Sequence, residues 1–390
     1  LSEQSWLNEY VYIQSEKEKD EIYKLKDKIE KSDQINEIEI AILGCYIPLN
    51  TSAIITKKLL NYESSSVLFN NLVNVQVKEP LREKDLKKTI KSIDKIDDLI
   101  SKKVRKQYEE NPYPRWRYCD KYKSIHFLNS LNNDIKPNRV KYNNKFNNPN
   151  ILIAGCGTGN HLISASNYNN ANILGVDLSL ASLAYAKRKV EELGSKNIKF
   201  LHGDILQLKK LNKKFDIIES SGVLHHMKDP IAGLKVLTDI LEPHGYLKLG
   251  LYSKTARTGV TKIREFIKQK KLKNTKEDIK IFRREINDVS KNLLKQKLIY
   301  SRDFYSTSAV RDLLFHVQEH CFSLPQISNI LENLNLEFLG FVFTNTKINK
   351  RFSKYFPNDK KNISLNNWNQ FEIKHPDTFG NMYQFWVKKI

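Results

Sequence analysis

The sequence predicts an α/β fold: a parallel sheet covered by helices on both faces, with an antiparallel pair of strands at its C-terminal edge and a helical region ahead of it. Three observations predict it. Between residues 150 and 254, short and nearly continuous apolar runs alternate with helical stretches, the pattern of strands buried on both faces. The first run leads straight into a glycine-rich turn, ILIAGCGTGNHLIS (151–164), which reads as a strand turning sharply into a helix. Near the C-terminus, LEFLGFVFT and MYQFWVKK read as two further strands.

Residues 1–100 read as helices, because stretches such as AIITKKLLNYESSSVLFNNLV repeat apolar residues at three- and four-residue spacing. No repeat of 30 to 40 residues stands out in them. Residues 101–149 form a basic lid and linker, whose helix stops at Asn111 because Pro112 and Pro114 remove amide donors. The sheet domain follows over 150–390. Its strands are ILIAG, NILGVD, IKFLHGD, FDIIESS and YLKLGLYS, and its helices run through 160–168, LASLAYAKRKVEELG and PIAGLKVLTDILE. A basic helical insertion is expected over 254–300, a helix from Ser323 to about Asn333, and a long irregular loop between the last two strands.

The 390 residues are 40% hydrophobic, which excludes a disordered chain. No apolar run approaches the roughly 20 residues that cross a bilayer, and LSEQSWLNEY lacks the order of a signal peptide. A soluble cytoplasmic protein without a membrane partner is expected. Its four cysteines, Cys45, Cys119, Cys156 and Cys321, have none of the spacings of a zinc site or a disulfide scaffold. The formal net charge of +21 is concentrated in residues 101–150 and 251–300, on either side of the glycine-rich unit.

Several nucleotide cofactors lie against a glycine-rich turn, with an acidic residue roughly 20 positions later holding the ribose. Asp177, closing NILGVD, stands there. Asn160 occupies the place where G-x-G-x-x-G needs its third glycine, which weakens a nicotinamide reading, and no Gly-Lys-Ser/Thr follows to make a P-loop. His225 and His226 follow FDIIESS at the C-terminal edge of the sheet, where either one can serve as a base or as a structural turn residue. Tyr108, Asn111, Tyr113 and Trp116 read as a lid or as a turn packed by aromatics. On a helix RDLLFHVQEH, His316 and His320 fall one turn apart, but the H-E-x-x-H signature is absent and no metal is expected. That helix is read as presenting His316, Glu319 or His320 to the substrate space.

AGCGTGNH, GVDLS, HGDIL, FDIIESSGVLHHMKDP and LEPHGYLKLGLYS resemble, in order, the successive motifs of class I S-adenosylmethionine-dependent methyltransferases. The resemblance implies a Rossmann-like sheet and S-adenosyl-L-methionine as cofactor. Gly155, Gly157 and Gly159, with Cys156 and Thr158 between them, would face its methionine part, and its carboxylate would suit a helix N-terminus. Asp177, followed by Leu178, would hold the ribose diol. Asp204 would meet the adenine amino group, and Ile205 the ring. Glu219 and Ser220, with Ser221 and Gly222 after them, would floor the site near the methyl, and Tyr108 would cover it. His225, His226 and Tyr113 are the catalytic candidates. The flanks VKEPLREKDLKKTI, QYEENPYPRW, SRDFYSTSAVRDLLFHVQEHCFSLPQI and DTFGNMYQFWVKK resemble a bacterial subfamily in which such a domain follows tetratricopeptide repeats. VLHHMKDP looks like small-molecule methyltransferases, so a small-molecule acceptor is expected. An RNA acceptor held by the basic segments, or a protein partner docked by the helical N-terminus, is the alternative.

Overall fold

The computed structural model describes residues 1–119, 123–288, 298 and 301–390. Residues 289–297 and 299–300 of the expected insertion, and 120–122 of the expected linker, lie outside the described residues. Two compact units are present.

The larger unit holds Ile90–Pro112, Trp116–Lys262 and Val317–Ile390. Its strands are β1 (Lys91–Ser92), β2 (Asn150–Ala154), β3 (Asn172–Asp177), β4 (Ile198–His202), β5 (Phe215–Ser221), β6 (Leu241–Tyr252), β7 (Leu336–Phe341) and β8 (Met382–Lys389). They form one eight-stranded sheet in the order β1-β4-β3-β2-β5-β6-β8-β7. Pairings from β1 to β6 are parallel, and β8 runs antiparallel between β6 and β7. The class is the Rossmann-like α/β sheet with antiparallel edge strands.

Apolar runs occupy the central strands because both faces are covered. Leu152, Ile218 and Leu247 pack in one core with residues of helices Pro230–Ile240, Leu324–Asn333 and Leu365–Lys374. Ile151, Ile153 and Ile217 pack in the other with residues of Phe127–Asp134, Asn160–Ala165 and Leu180–Glu192. At Gly175, in the middle of β3, an added Cβ would stand 2.9 and 3.0 Å from the two Leu162 methyls, so the helix after the glycine turn sits directly on the strand.

Four local expectations change. The helix expected over 160–168 ends at Ala165. The irregular loop before β8 contains helices Lys347–Tyr355 and Leu365–Lys374, which bury Phe352 against Trp368 at 3.7 Å between ring centroids. Aromatics spaced for contact across two short helices, rather than within one, leave little periodicity to read. The helix of RDLLFHVQEH ends at Leu314, and HVQEH is non-helical. The two-residue β1 pairs in parallel with β4, inside the region read as helical.

The smaller unit is helical and holds Leu1–Thr89, Tyr113–Arg115 and Ile263–His316. Its core includes Ile40, Leu43, Ile55, Leu59 and Phe69. The buried Gln76 amide donates to the carbonyls of Ser2 and Gly44, both at 3.0 Å, and its oxygen accepts from Leu49 N at 3.2 Å. Buried Arg283 donates to the carbonyls of Val11 at 3.1 Å and Phe304 at 2.9 Å. A buried guanidinium needs such acceptors. They join the chain after β6 to the N-terminal helices, where the sequence reading kept an insertion and a separate region ending at residue 100. No helix among the described residues is long and apolar enough to cross a membrane.

Gly175→Val overpacks the contact between β3 and the following helix. It should destabilise the protein by about 1–3 kcal/mol, read as a lower urea midpoint.

Candidate cofactor and acceptor site

At the C-terminal edge of the sheet β2 runs into the glycine turn. Gly155, Gly157 and Gly159 have φ of +77°, +50° and +90°, the left-handed region that side chains rarely adopt. At Gly155 an added Cβ would also fall 2.4 Å from a Val223 methyl, so the turn is pressed against the loop after β5. The amides of Gly155 and Cys156 donate to Val176 O at 2.8 and 3.0 Å. Burial, and then the charge of Asp177, hold the Cys156 thiol well above its ordinary pKa, so it is an unreactive spacer in the turn.

Asp177 closes β3 and ties the turn to the next helix. One carboxylate oxygen accepts from Gly157 N at 2.8 Å, the other from Ser179 N at 2.9 Å. Burial pushes its pKa up to about 6 against those two stabilising bonds, and the charge of Glu109 adds to the rise. Glu109 accepts from Ala181 N at 3.2 Å, in the first turn of helix Leu180–Glu192. Helix Leu99–Glu110, which carries half-buried Tyr108, therefore lies against the Asp177 end of the site. Leu178 O accepts from His202 Nε2 at 3.0 Å, which leaves Nδ1 to accept from the Ser92 hydroxyl at 2.8 Å. Asp204 and Ile205 follow β4 and are buried; Asp204 caps the next helical turn through Leu206 N at 3.0 Å.

Trp116 lies over the turn. Its indole N–H donates to Thr158 O at 3.1 Å, its amide donates to the Tyr185 hydroxyl at 3.2 Å, and Lys189 Nζ donates to Arg117 O at 2.8 Å. Tyr113 belongs to the helical unit, where its hydroxyl donates to Asp303 at 3.3 Å. Glu219 and Ser220 are consecutive buried residues on β5 and so point to opposite faces.

His225 and His226 sit on the turn after β5, both buried. The His225 ring stacks on Tyr252 at 3.6 Å, and the Arg257 guanidinium carbon stands 3.6 Å from the same ring centre. Two groups cannot share one face at that distance, so Tyr252 lies between imidazole and guanidinium. Glu319 grips Arg257 bidentately at 2.9 and 2.7 Å. His226 Nδ1 pairs with Gln318 O at 2.8 Å, and His320 N donates to His225 O at 2.8 Å. A carbonyl only accepts, so Nδ1 of His226 carries a proton, and in the neutral ring the basic lone pair is on Nε2. Glu319, read as facing the substrate space, is instead buried on Arg257. Glu109, Tyr252 and Arg257 were missed by the sequence reading. Glu109 lies in helix Leu99–Glu110, Tyr252 closes β6 and Arg257 stands in the turn that follows it, and no local signal marked them.

Residues 145–322 match the family model described as a methyltransferase domain. An uncharacterized protein of Synechococcus is 27% identical over 201 residues, covering 50% of this chain and 48% of that protein. The ubiquinone biosynthesis O-methyltransferase of Coxiella burnetii is 29% identical over 151 residues, covering 38% of this chain and 61% of the enzyme. The chain spans about half the length of the curated relatives it matches. Among solved structures, PKMT2 from Rickettsia typhi superposes with a TM-score of 0.50 at 21% identity, over 68% of this chain and 54% of that one, a likeness of fold.

The raised pKa of Asp177 has a sign. Its contribution to ligand-free stability is full below the ordinary value of 3.8 and is lost as pH rises through about 6. Urea unfolding of the wild type should weaken across that window relative to Asp177→Asn, and parallel profiles would refute it.

Proposed function

We propose that the chain is a cytoplasmic enzyme that transfers a methyl group from S-adenosylmethionine to a small-molecule acceptor at oxygen, nitrogen or carbon. The observation that carries this reading is the bond from the Gly157 amide to Asp177, which places a carboxylate beside a turn of three left-handed glycines. The residues fit the donor. A turn with no side chains at Gly155, Gly157 and Gly159 lets the backbone approach the methionine part, and each Asp177 oxygen retains acceptor capacity for a ribose hydroxyl beyond its amide bond. Asp204 and Ile205 take the adenine end, with Leu178 and Tyr108 at the edge of the ribose. Glu219 and Ser220 floor the methyl end.

The donor supplies an electrophilic methyl on a sulfonium, so the protein's work is to position the acceptor and exclude water. His226 serves as the base where the acceptor must lose a proton, because the bond to Gln318 O orients the ring and assigns the proton to Nδ1. His225 supports it from the stack on Tyr252. Trp116, hydrogen-bonded to the turn, is the anchor of the lid within the segment 101–149. Tyr113, on the same segment, remains the third candidate.

Calorimetry should show S-adenosylmethionine binding to the wild type and a loss of about tenfold or more in Asp177→Ala, the scale of removing a charged hydrogen-bond acceptor. Unchanged affinity would refute the ribose assignment. Methyl-labelled donor given to a lysate with wild type and Asp177→Ala should label the metabolite fraction with wild type alone. Label in RNA would make the basic segments the acceptor site. Label in protein would make the helical unit a docking module.

A further inference from the structure

The chain leaves β7 at the edge of the sheet that also holds the glycine turn, since β8 runs antiparallel to both β6 and β7. It then forms helix Lys347–Tyr355, whose sequence KINKRFSKY sorts its residues by face. Lys347, Lys350, Arg351 and Lys354 recur at three- and four-residue spacing, so they stand in one row along about 10 Å of helix, and all are exposed. Phe352 is fully buried on the opposite face, with Ile348 and Phe356 packed against the same core. Among the described residues none of these cations pairs with a carboxylate. Asp359, the first acid after the helix, accepts from the amides of Ile363 and Ser364, both at 3.0 Å, and Glu372, the next, accepts from the hydroxyls of Ser253 and Tyr383.

An aromatic ring stands at the end of this row. Tyr355 is 45% exposed and is held edge-on by Phe371 at 5.4 Å and His375 at 5.2 Å between ring centres. Lys374 Nζ lies 5.7 Å from its centre, and Arg351 Nη2 donates to His375 Nδ1 at 3.1 Å. A guanidinium only donates, so His375 meets it as a neutral ring. Lost hydration, and then the charges of Arg351 and Lys374, hold the pKa of His375 down. The face is positive, with a fixed ring among its cations.

The apolar side of the helix is already in the core, so none of it is left to enter a bilayer. Cations alone match an acidic protein. Cations beside an upright aromatic ring match a single-stranded nucleic acid, whose phosphates take the row and whose base stacks on the ring. We propose that the Lys347–Tyr355 face docks single-stranded nucleic acid, with phosphates along Lys347, Lys350, Arg351 and Lys354 and a base on Tyr355. This face lies outside residues 101–149 and 254–300, on which the RNA alternative rested, and it is independent of the methyl donor.

Fluorescence anisotropy on the full chain, with a labelled oligouridine of about 20 nucleotides, should show saturable binding that weakens with salt. Lys350→Glu combined with Arg351→Glu should weaken it about tenfold or more and flatten the slope of log K against log salt by about one, because phosphate contacts set that slope. Tyr355→Ala should cost about fivefold, the low end for one stacked base. Lys196→Glu combined with Lys199→Glu, the same change of net charge around the start of β4, should stay within about twofold. Equal losses in the two double variants, or no binding by the wild type, would overturn the proposal. So would an unchanged affinity in Tyr355→Ala, or tighter row-dependent binding of polyglutamate or of phosphatidylglycerol vesicles, which would give the row to an acidic protein or a membrane. The substituted side chains are all exposed, so the variants test the surface and not the fold.

Discussion

The carboxylate of Asp177 holds together the end of the sheet where the proposed cofactor site lies. Its two oxygens take the Gly157 and Ser179 amides, so one side chain fixes both the glycine turn after β2 and the entry to the helix after β3. Burial opposes the charge and the amides favour it. The turn can then approach a ligand through its backbone, because none of its three glycines has a side chain in the way. Glu109 and Trp116 add a second layer at the same edge, on Ala181 N and on Thr158 O.

Away from that edge, register sorts the charges. Within the larger unit Arg257 is spent on Glu319 and Lys248 on Asp134, both by direct ion pairing. The first pair is dry and bidentate, so removing either partner would strand a charge in the interior. The Tyr252 ring, between His225 and Arg257, separates the histidine turn from the cation that anchors the 318–320 segment. The His226 tautomer follows from that segment's path, since the proton on Nδ1 answers a backbone carbonyl.

Much of the sheet was legible because its strands are buried on both faces, and a run such as ILIA admits few other readings. Glycines 155, 157 and 159 and Asp177 were legible for a related reason: a positive φ and a strand-end carboxylate are local requirements with a narrow choice of residue. HVQEH was misread because its four-residue histidine spacing suits a helix, whereas the segment leaves helical geometry to meet Arg257, His225 and His226. The helices before β8 were missed because Phe352 and Trp368 face each other across a turn, a pairing that no single-helix period encodes.

The sequence by itself determined the alternation of strand and helix, the glycine turn, the acidic end of β3 and the antiparallel edge, since each is written in residues close together along the chain. Only the tertiary structure decided which charges meet. Trp386 reaches Asp134, and Arg257 reaches Glu319, because β8 inserts between β6 and β7 and the chain returns beside Tyr252. A periodic pattern reports whether a side chain is buried. The partner it finds depends on strand order and register, which distant segments set together.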